Sequence, residues 1–275
     1  MKAKSTPDAD LQAAEAFTEQ SKIFDKLYGH DAIIQYKRQR VRDHMLACLP
    51  LGSKLLELNC GTGEDALYFA GKGFRVHATD LSAGMLRMLK AKKATEEMAA
   101  RITTECCSFN QLGKLQDQGP YDHIYSNFGG FNCTGTLEKA LHSLDPLLKP
   151  GGAVTLVIIS KFCLWELLLL FRGRFKTAFR RFFSARGRMA HMEGRYFTCW
   201  YYSASDVKKF LGPGYSTLRL EGLCSLVPPS YLEGFAGKHP RLFRLLRRME
   251  NKYAGRWPWR RWGDYFIISL RKRMD

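Results

Sequence analysis

The sequence predicts an α/β protein built on a mostly parallel sheet with helices on both faces, and three observations predict it. Short apolar runs fit for buried strands alternate with segments of helical spacing from Leu55 onward. The first run, Leu55 to Leu58, breaks into a glycine turn at Asn59 to Gly63 and resumes as a helix with Ala66, Leu67, Phe69 and Ala70 on one side. A second run, Phe74 to Thr79, ends in an acid, Asp80, 17 residues beyond Gly63.

Length and composition bound the rest. A chain of 275 residues with 45% hydrophobic content buries a large core, so one domain with elaborations is expected rather than two. It divides into an N-terminal helical lead-in and cap (1–50), a binding core (51–160), an apolar and basic insertion (161–202) and the C-terminal part of the same domain (203–275). Met1 to Ala16 lacks the apolar centre of a signal peptide or anchor, which points to the cytoplasm. The eight cysteines form no Cys-x-x-Cys pair and read as buried, reduced thiols, so no metal site is expected. A net charge of +17 invites an anionic partner, nucleic acid or membrane. Seven bases and no acids lie between Glu166 and Glu193, and twelve bases face three acids from Lys238 onward. Either cluster reads equally well as a solvated face.

In order along the chain, residues 1–16 read as a mobile lead-in. Ala32 to Leu49 follows as an amphipathic helix with Ile34, Val41, Met45 and Cys48 on one side. After the glycine turn, Asp80 stands where nucleotide-binding α/β units place an acid for ribose hydroxyls. Ser82 caps a helix that turns Met85, Leu86 and Leu89 inward, and Ile102 to Cys107 is a third strand. Tyr121 to Asn127 is a fourth, and the apolar loop Phe128 to Cys133 is expected to line a pocket. A helix from Thr136 to Leu148 stops at Lys149-Pro150-Gly151-Gly152, before a fifth strand, Ala153 to Ile159. Ala153 to Phe171 contains only Thr155, Ser160, Lys161 and Glu166 as polar residues, which raises a membrane-spanning helix. Two charges near its centre would cost roughly 2.5 kcal/mol or more each, so strand followed by helix is the better division. From Lys161 to Thr198 the alternation lapses into an apolar stretch and then a basic one, an insertion that caps something or lies on something. A helix from Ser203 or Ser205 to Leu211 and strands at Ser216 to Leu226 and Asp264 to Leu270 complete the chain.

From Leu55 to Ile159 these residues resemble the class I S-adenosylmethionine-dependent methyltransferases. Glu57-Leu58-Asn59-Cys60-Gly61-Thr62-Gly63 matches the family's first motif, with asparagine at its first glycine. Asparagine tolerates left-handed backbone angles, so the turn survives. Asp80-Leu81-Ser82 with Met85 matches the second motif, Asp122 to Gly130 the fourth, and Lys149 to Gly152 the turn before strand five. More narrowly, Ser126 to Cys133, Trp165-Glu166 and Pro228 to Tyr231 look like a bacterial subgroup.

The resemblance implies a Rossmann-like seven-stranded, mostly parallel sheet with an N-terminal helical cap and an insertion after strand five. It implies S-adenosyl-L-methionine as cofactor, with Gly61 and Gly63 admitting it to the backbone of a loop that includes Asn59, Cys60 and Thr62. Glu57 would support that loop, Asp80 take the ribose hydroxyls, Leu81 and Phe109 flank adenine with Met85 nearby, and Asn127 and Phe128 lie near the sulfonium. Many members place an acid against the adenine amino group. Here Ser108-Phe109-Asn110 stands instead, so a serine hydroxyl or asparagine carbonyl would accept that bond. Arg38 either meets the cofactor carboxylate or, as the preferred reading, sits on a solvated helix face.

His191, Tyr28 and Glu193 are the candidate proton acceptors, with His30 and Tyr196 behind them. The expected reaction is methyl transfer to O or N of a small-molecule or lipid-like acceptor. The insertion would place the enzyme at an anionic membrane surface, peripheral at the inner membrane. Two alternatives stand beside it: an RNA methyltransferase using the basic tail with Trp257, Trp259 and Trp262, and a non-catalytic S-adenosylmethionine-binding protein. Nucleic acid is the weaker partner, because Asn127-Phe128-Gly129 lacks the Pro-Pro-Tyr or Pro-Pro-Phe of base-methylating relatives. The sequence specifies no oligomeric state.

Overall fold

The computed structural model describes residues 6–29, 31–92, 96–182, 187–192, 195–232 and 234–274. The first element is a 23-residue helix, α1 (Thr6–Tyr28), so from Thr6 on the expected mobile lead-in is ordered helix. Its inward face is small and polar: Ala13, Ala16, Gln20 and Ser21 are buried. Thr18 Oγ1 shares a 2.7 Å hydrogen bond with Ser82 Oγ. Close backbone approach, rather than an apolar stripe, fixes the helix, and that leaves no hydrophobic period to read.

The second helix, α2 (Ala32–Leu46), begins at Asp31, whose carboxylate accepts the Ile34 N–H at 2.8 Å. It buries Ile33, Tyr36, Val41 and Met45 together with Lys37, Arg38 and His44. The inward arc is therefore rotated from the expected one, with Ile34 and Cys48 half-buried, and Arg38 is not on a solvated face.

Seven strands form the central sheet. In chain order they come among the helices as β1 (Lys54–Leu58), α3 (Glu64–Gly71), β2 (Arg75–Asp80), α4 (Ala83–Lys92), α5 (Glu96–Arg101), β3 (Ile102–Cys106), β4 (Tyr121–Ser126), α6 (Leu137–His142) and β5 (Leu148–Ile159). The insertion follows as α7 (Leu164–Leu167), α8 (Phe175–Ala178) and a hairpin of β6 (Arg188–Met192) and β7 (Arg195–Cys199). The chain closes with α9 (Ala204–Leu211), β8 (Tyr215–Leu223), α10 (Phe235–Lys238), α11 (Pro240–Tyr253) and β9 (Tyr265–Lys272). The sheet order is β3-β2-β1-β4-β5-β9-β8, parallel except for β9, which runs antiparallel to both neighbours. Residues 203–274 thus supply two strands to the same sheet.

Alternation along the strands fills both faces. Leu56, Leu58, Ile124 and Leu156 pack on one side, and Leu55, Tyr125, Val157 and Ile267 pack with Phe69 of α3 on the other. Full burial of each such side chain contributes roughly 1.5–3 kcal/mol. A polar chain crosses this apolar interior. It runs from Glu221 of β8 to His44 Nδ1 (3.2 Å), from His44 Nε2 to Ser269 Oγ (2.9 Å), on to Thr155 Oγ1 (2.6 Å), and to His123 Nε2 (2.8 Å).

The first half of the insertion is riveted down by Arg181, which donates to Glu166 Oε1 (2.7 Å) and Asp264 Oδ1 (2.6 Å). Cys163 joins these two acids in a cluster of metal-ligand type. The guanidinium already supplies the positive charge there, and burial followed by the Asp264 charge pushes the Cys163 thiol up to about 12. The second half packs against α1, Phe197 of β7 meeting Phe17 of α1 with ring centroids 6.1 Å apart. Among the cysteines Cys106 is exposed, against the buried reading, and none of the eight forms a disulfide. Trp262 packs on Phe162 at 5.6 Å, whereas Trp257 is 72% exposed. No described helix is long and apolar enough to cross a membrane.

Candidate active site

A cleft of about 150 Å³ opens at the carboxyl ends of β1, β2 and β4. Its floor is the loop after β1, where Asn59, Gly61 and Gly63 all have left-handed backbone angles (φ 58°, 56° and 79°). A side chain on Gly61 would meet nothing within 4 Å, so this backbone faces open space that a ligand can fill closely. Gly63 has the opposite surroundings: a Cβ there would strike Leu89 of α4, which makes it a packing residue.

Asn59 gains a partner from its own side chain, whose amide donates to Ser126 Oγ at 3.1 Å. That side chain occupies the space a Cβ on Gly130 would need. The loop after β4 is held just as tightly. Phe128 is left-handed (φ 45°), and Asn132 accepts from Ile159 N (2.8 Å) while donating to the carbonyls of Ile159 (3.1 Å) and Trp200 (2.5 Å).

Asp80 is the clamp between motifs. Its two oxygens accept the backbone N–H of Gly61 (2.9 Å) and of Ser82 (2.8 Å). Burial raises its pKa and these N–H groups pull it back. A carboxylate retains further lone pairs for ligand hydroxyls. Glu57, buried beneath the loop, has one oxygen, Oε2, without a hydrogen-bond partner. Burial and then the charge of Asp65 hold the Glu57 carboxyl well above the usual carboxylate range.

Asp65, in the first turn of α3, was not foreseen. It accepts from Arg38 (3.0 Å), Arg42 (2.8 Å) and the Asn127 amide (2.7 Å), joining α2, α3 and the β4 loop in one buried knot. An acid at that position reads in sequence only as a partner for the helix dipole. The roof comes from α1, through Ala13, Ala14 and Phe17, equally unforeseen.

The structure gathers Glu57, Asn59, Cys60, Gly61, Thr62, Asp80, Leu81, Met85, Phe109, Asn127, Phe128 and Arg38 on this one cleft. Gly63 lies behind the loop, and Ser108 is buried in the turn after β3, where its hydroxyl accepts from Asn110 N at 3.1 Å. Tyr28 ends α1 and His191 pairs with Tyr196 in the hairpin register. The side chains of Tyr28 and His191, and the whole of Glu193 and His30, lie outside the described residues. Tyr196 is 61% exposed.

A sheet of this order, with a glycine loop after β1 and an acid at the end of β2, is Rossmann-like. Residues 55–152 match the methyltransferase domain family. Over 143 residues the chain is 31% identical to a malonyl-[acyl-carrier protein] O-methyltransferase of Pseudescherichia vulneris, covering 50% of this chain and 52% of that one. Over 162 residues it is 25% identical to a demethylmenaquinone methyltransferase of Clavibacter sepedonicus, covering 59% and 62%. The chain therefore spans about half the length of the curated relatives it matches. Among solved structures it resembles the 1,6-didemethyltoxoflavin-N1-methyltransferase of Burkholderia thailandensis, with a TM-score of 0.58 at 14% identity over 99% of this chain and 92% of that one. At that identity the likeness is one of fold.

Proposed function

We propose that the chain is a methyltransferase that carries the methyl group of S-adenosylmethionine to O or N of a small, lipophilic acceptor. The observation that carries this reading is the unpartnered Glu57 oxygen at the bottom of a cleft whose glycine backbone stands open. Burial and the Asp65 charge favour the protonated Glu57 carboxyl; a cationic ligand group beside it would favour ionisation and give the orphaned oxygen a partner, and the bare Gly61 backbone admits such a ligand at contact distance. When bound, the cofactor supplies an activated methyl carbon, so the protein has mainly to bind, orient and dehydrate.

Asp80, already fixed by two N–H groups, offers its remaining lone pairs to ribose hydroxyls. Leu81 and Phe109 hold the adenine plane, with Met85 beneath. Arg38, steadied by Asp65, presents its other donors to a carboxylate. Asn127 spends its amide on Asp65 and its carbonyl on Phe128 N, so its part is to shape the wall near the sulfonium. The acceptor would enter beneath Phe17, which with Ala13 and Ala14 forms an apolar roof that favours a lipophilic molecule. His191, Tyr28 and Glu193 are the proposed proton acceptors. The Ser126 to Cys133 segment supports placement in the narrower bacterial subgroup.

Calorimetric titration tests the reading. The protein should bind S-adenosylmethionine and S-adenosylhomocysteine, and Glu57→Gln should weaken the former about tenfold, the scale of one charged hydrogen bond. Absence of heat with both ligands would refute the proposal.

A further inference from the structure

A second concave surface lies away from the cofactor cleft. It is a groove of about 630 Å³ between the insertion and the segment after β8, walled by Trp165, Leu168, Phe171, Tyr231, Phe235 and Lys238. Phe171 is 89% exposed and Phe175 62%, far more than large aromatic side chains usually show. Just beyond the groove, α11 carries two apolar rows. Phe243 and Leu246 point inward, while Leu242, Leu245 and Met249, spaced i, i+3 and i+7, face solvent. At about 100° per residue, Arg241, Arg244, Arg248 and Lys252 form an arc directly beside that outer row. Arg174 and Lys176 likewise alternate with the exposed phenylalanines. None of these six cations forms an ion pair among the described residues.

The topology fixes which way this surface looks. β5 and β8 both run antiparallel to β9, so their carboxyl ends share one edge of the sheet, the edge from which the glycine loop leaves β1. The groove is built from the chain that leaves β5 and β8.

We propose that this face docks the protein on a bilayer containing anionic phospholipid. Phe171, Phe175 and the outer row of α11 enter the acyl boundary, and the neighbouring cations pair with phosphate headgroups. Charge complementarity selects this occupant. A second copy would set one basic face against another of the same chain, whose net charge is +17, and RNA would use the cations but leave the apolar rows unspent. That docking brings the cleft to its acceptor rests on the lipophilic-acceptor reading; the docking itself does not.

The experiment is flotation of the full chain with phosphatidylcholine vesicles, with and without phosphatidylglycerol. Binding should require the anionic lipid and fall as salt rises. Arg244→Ser with Arg248→Ser should weaken partitioning about 25-fold, from about fivefold for each cation lost at an anionic surface. Leu242→Ser, Leu245→Ser and Met249→Ser together should abolish flotation, as should Phe171→Ser with Phe175→Ser in a separate segment. Each variant should keep the wild-type circular-dichroism spectrum and denaturant midpoint, which certifies the fold. A wild-type protein that stays with the unbound fraction, variants that float like it, or a wild-type dimer that the triple substitution dissociates would overturn the proposal. Flotation needs no cofactor and calorimetry no vesicle, so this inference and the methyltransferase reading fail separately.

Discussion

Asp65 is the side chain on which the cleft's geometry depends, since among the described residues it alone neutralises two guanidinium groups that α2 brings inside. Removing one member of a buried ion cluster strands the others without compensation. Asp65→Ala should therefore cost about 3–5 kcal/mol in denaturant-induced unfolding, far more than a surface charge would, and a loss below about 1 kcal/mol would refute the role. The glycine loop and Asp80 could be read in the sequence because a tight turn and a strand end impose local residue choices. The Arg38–Asp65 pair could not, because neither residue is unusual in its own helix and the bond spans 27 positions. Asn59 belongs between these cases. Its left-handed angle was readable, whereas its mutual dependence with Gly130 arises only when β1 and β4 lie side by side.

Helix α1 shows the same division at the scale of an element. The strands and the helices α3 and α4 announce themselves by apolar period, but α1 packs through Ala13, Ala16, Thr18 and Ser21, and a stripe of small residues resembles a flexible segment. Its seat is Gly84, where a Cβ would lie 2.9 Å from Ser21 Oγ and 3.0 Å from Thr18 Cγ2. Gly84→Val should introduce overpacking of about 1–3 kcal/mol at that seat and lift the helix. Limited proteolysis should then cut within α1, and cofactor affinity should fall about tenfold while the sheet unfolds at its usual denaturant concentration. Unchanged proteolysis would show that α1 does not depend on this contact. The hairpin β6–β7 was legible only as an irregular insertion, because its pairing partner is α1 and not the sheet.

Across the whole molecule, α2 is bound to the far edge of the sheet by Glu221. Burial alone would raise this carboxyl, but the hydrogen bond from His44 and the charges of Arg40 and Arg219 help bring it to about 2. A carboxylate held below its usual value of 4.5 adds stability that is complete above that value and lost as pH falls toward 2. The stability difference between wild type and Glu221→Gln should thus reach about 3 kcal/mol near neutral pH and shrink below pH 4.5; a pH-independent difference would contradict the assignment. A mostly parallel sheet followed from the alternation of elements, but this polar chain did not, since four strands and α2 must assemble before its members meet.

The chain from Glu221 to His123 also has a direction. An ionised carboxylate only accepts, so His44 must give it the proton on Nδ1 and keep Nε2 bare. Ser269 then donates to His44, Thr155 to Ser269, and His123 through Nε2 to Thr155. Burial lowers His123 to about 3, which keeps that ring neutral and leaves its Nδ1 without a proton. A single negative charge on β8 thereby sets the orientation of two hydroxyls and the tautomers of two imidazoles as far as β4, so the interior under the cleft has one hydrogen-bond polarity rather than two of equal standing.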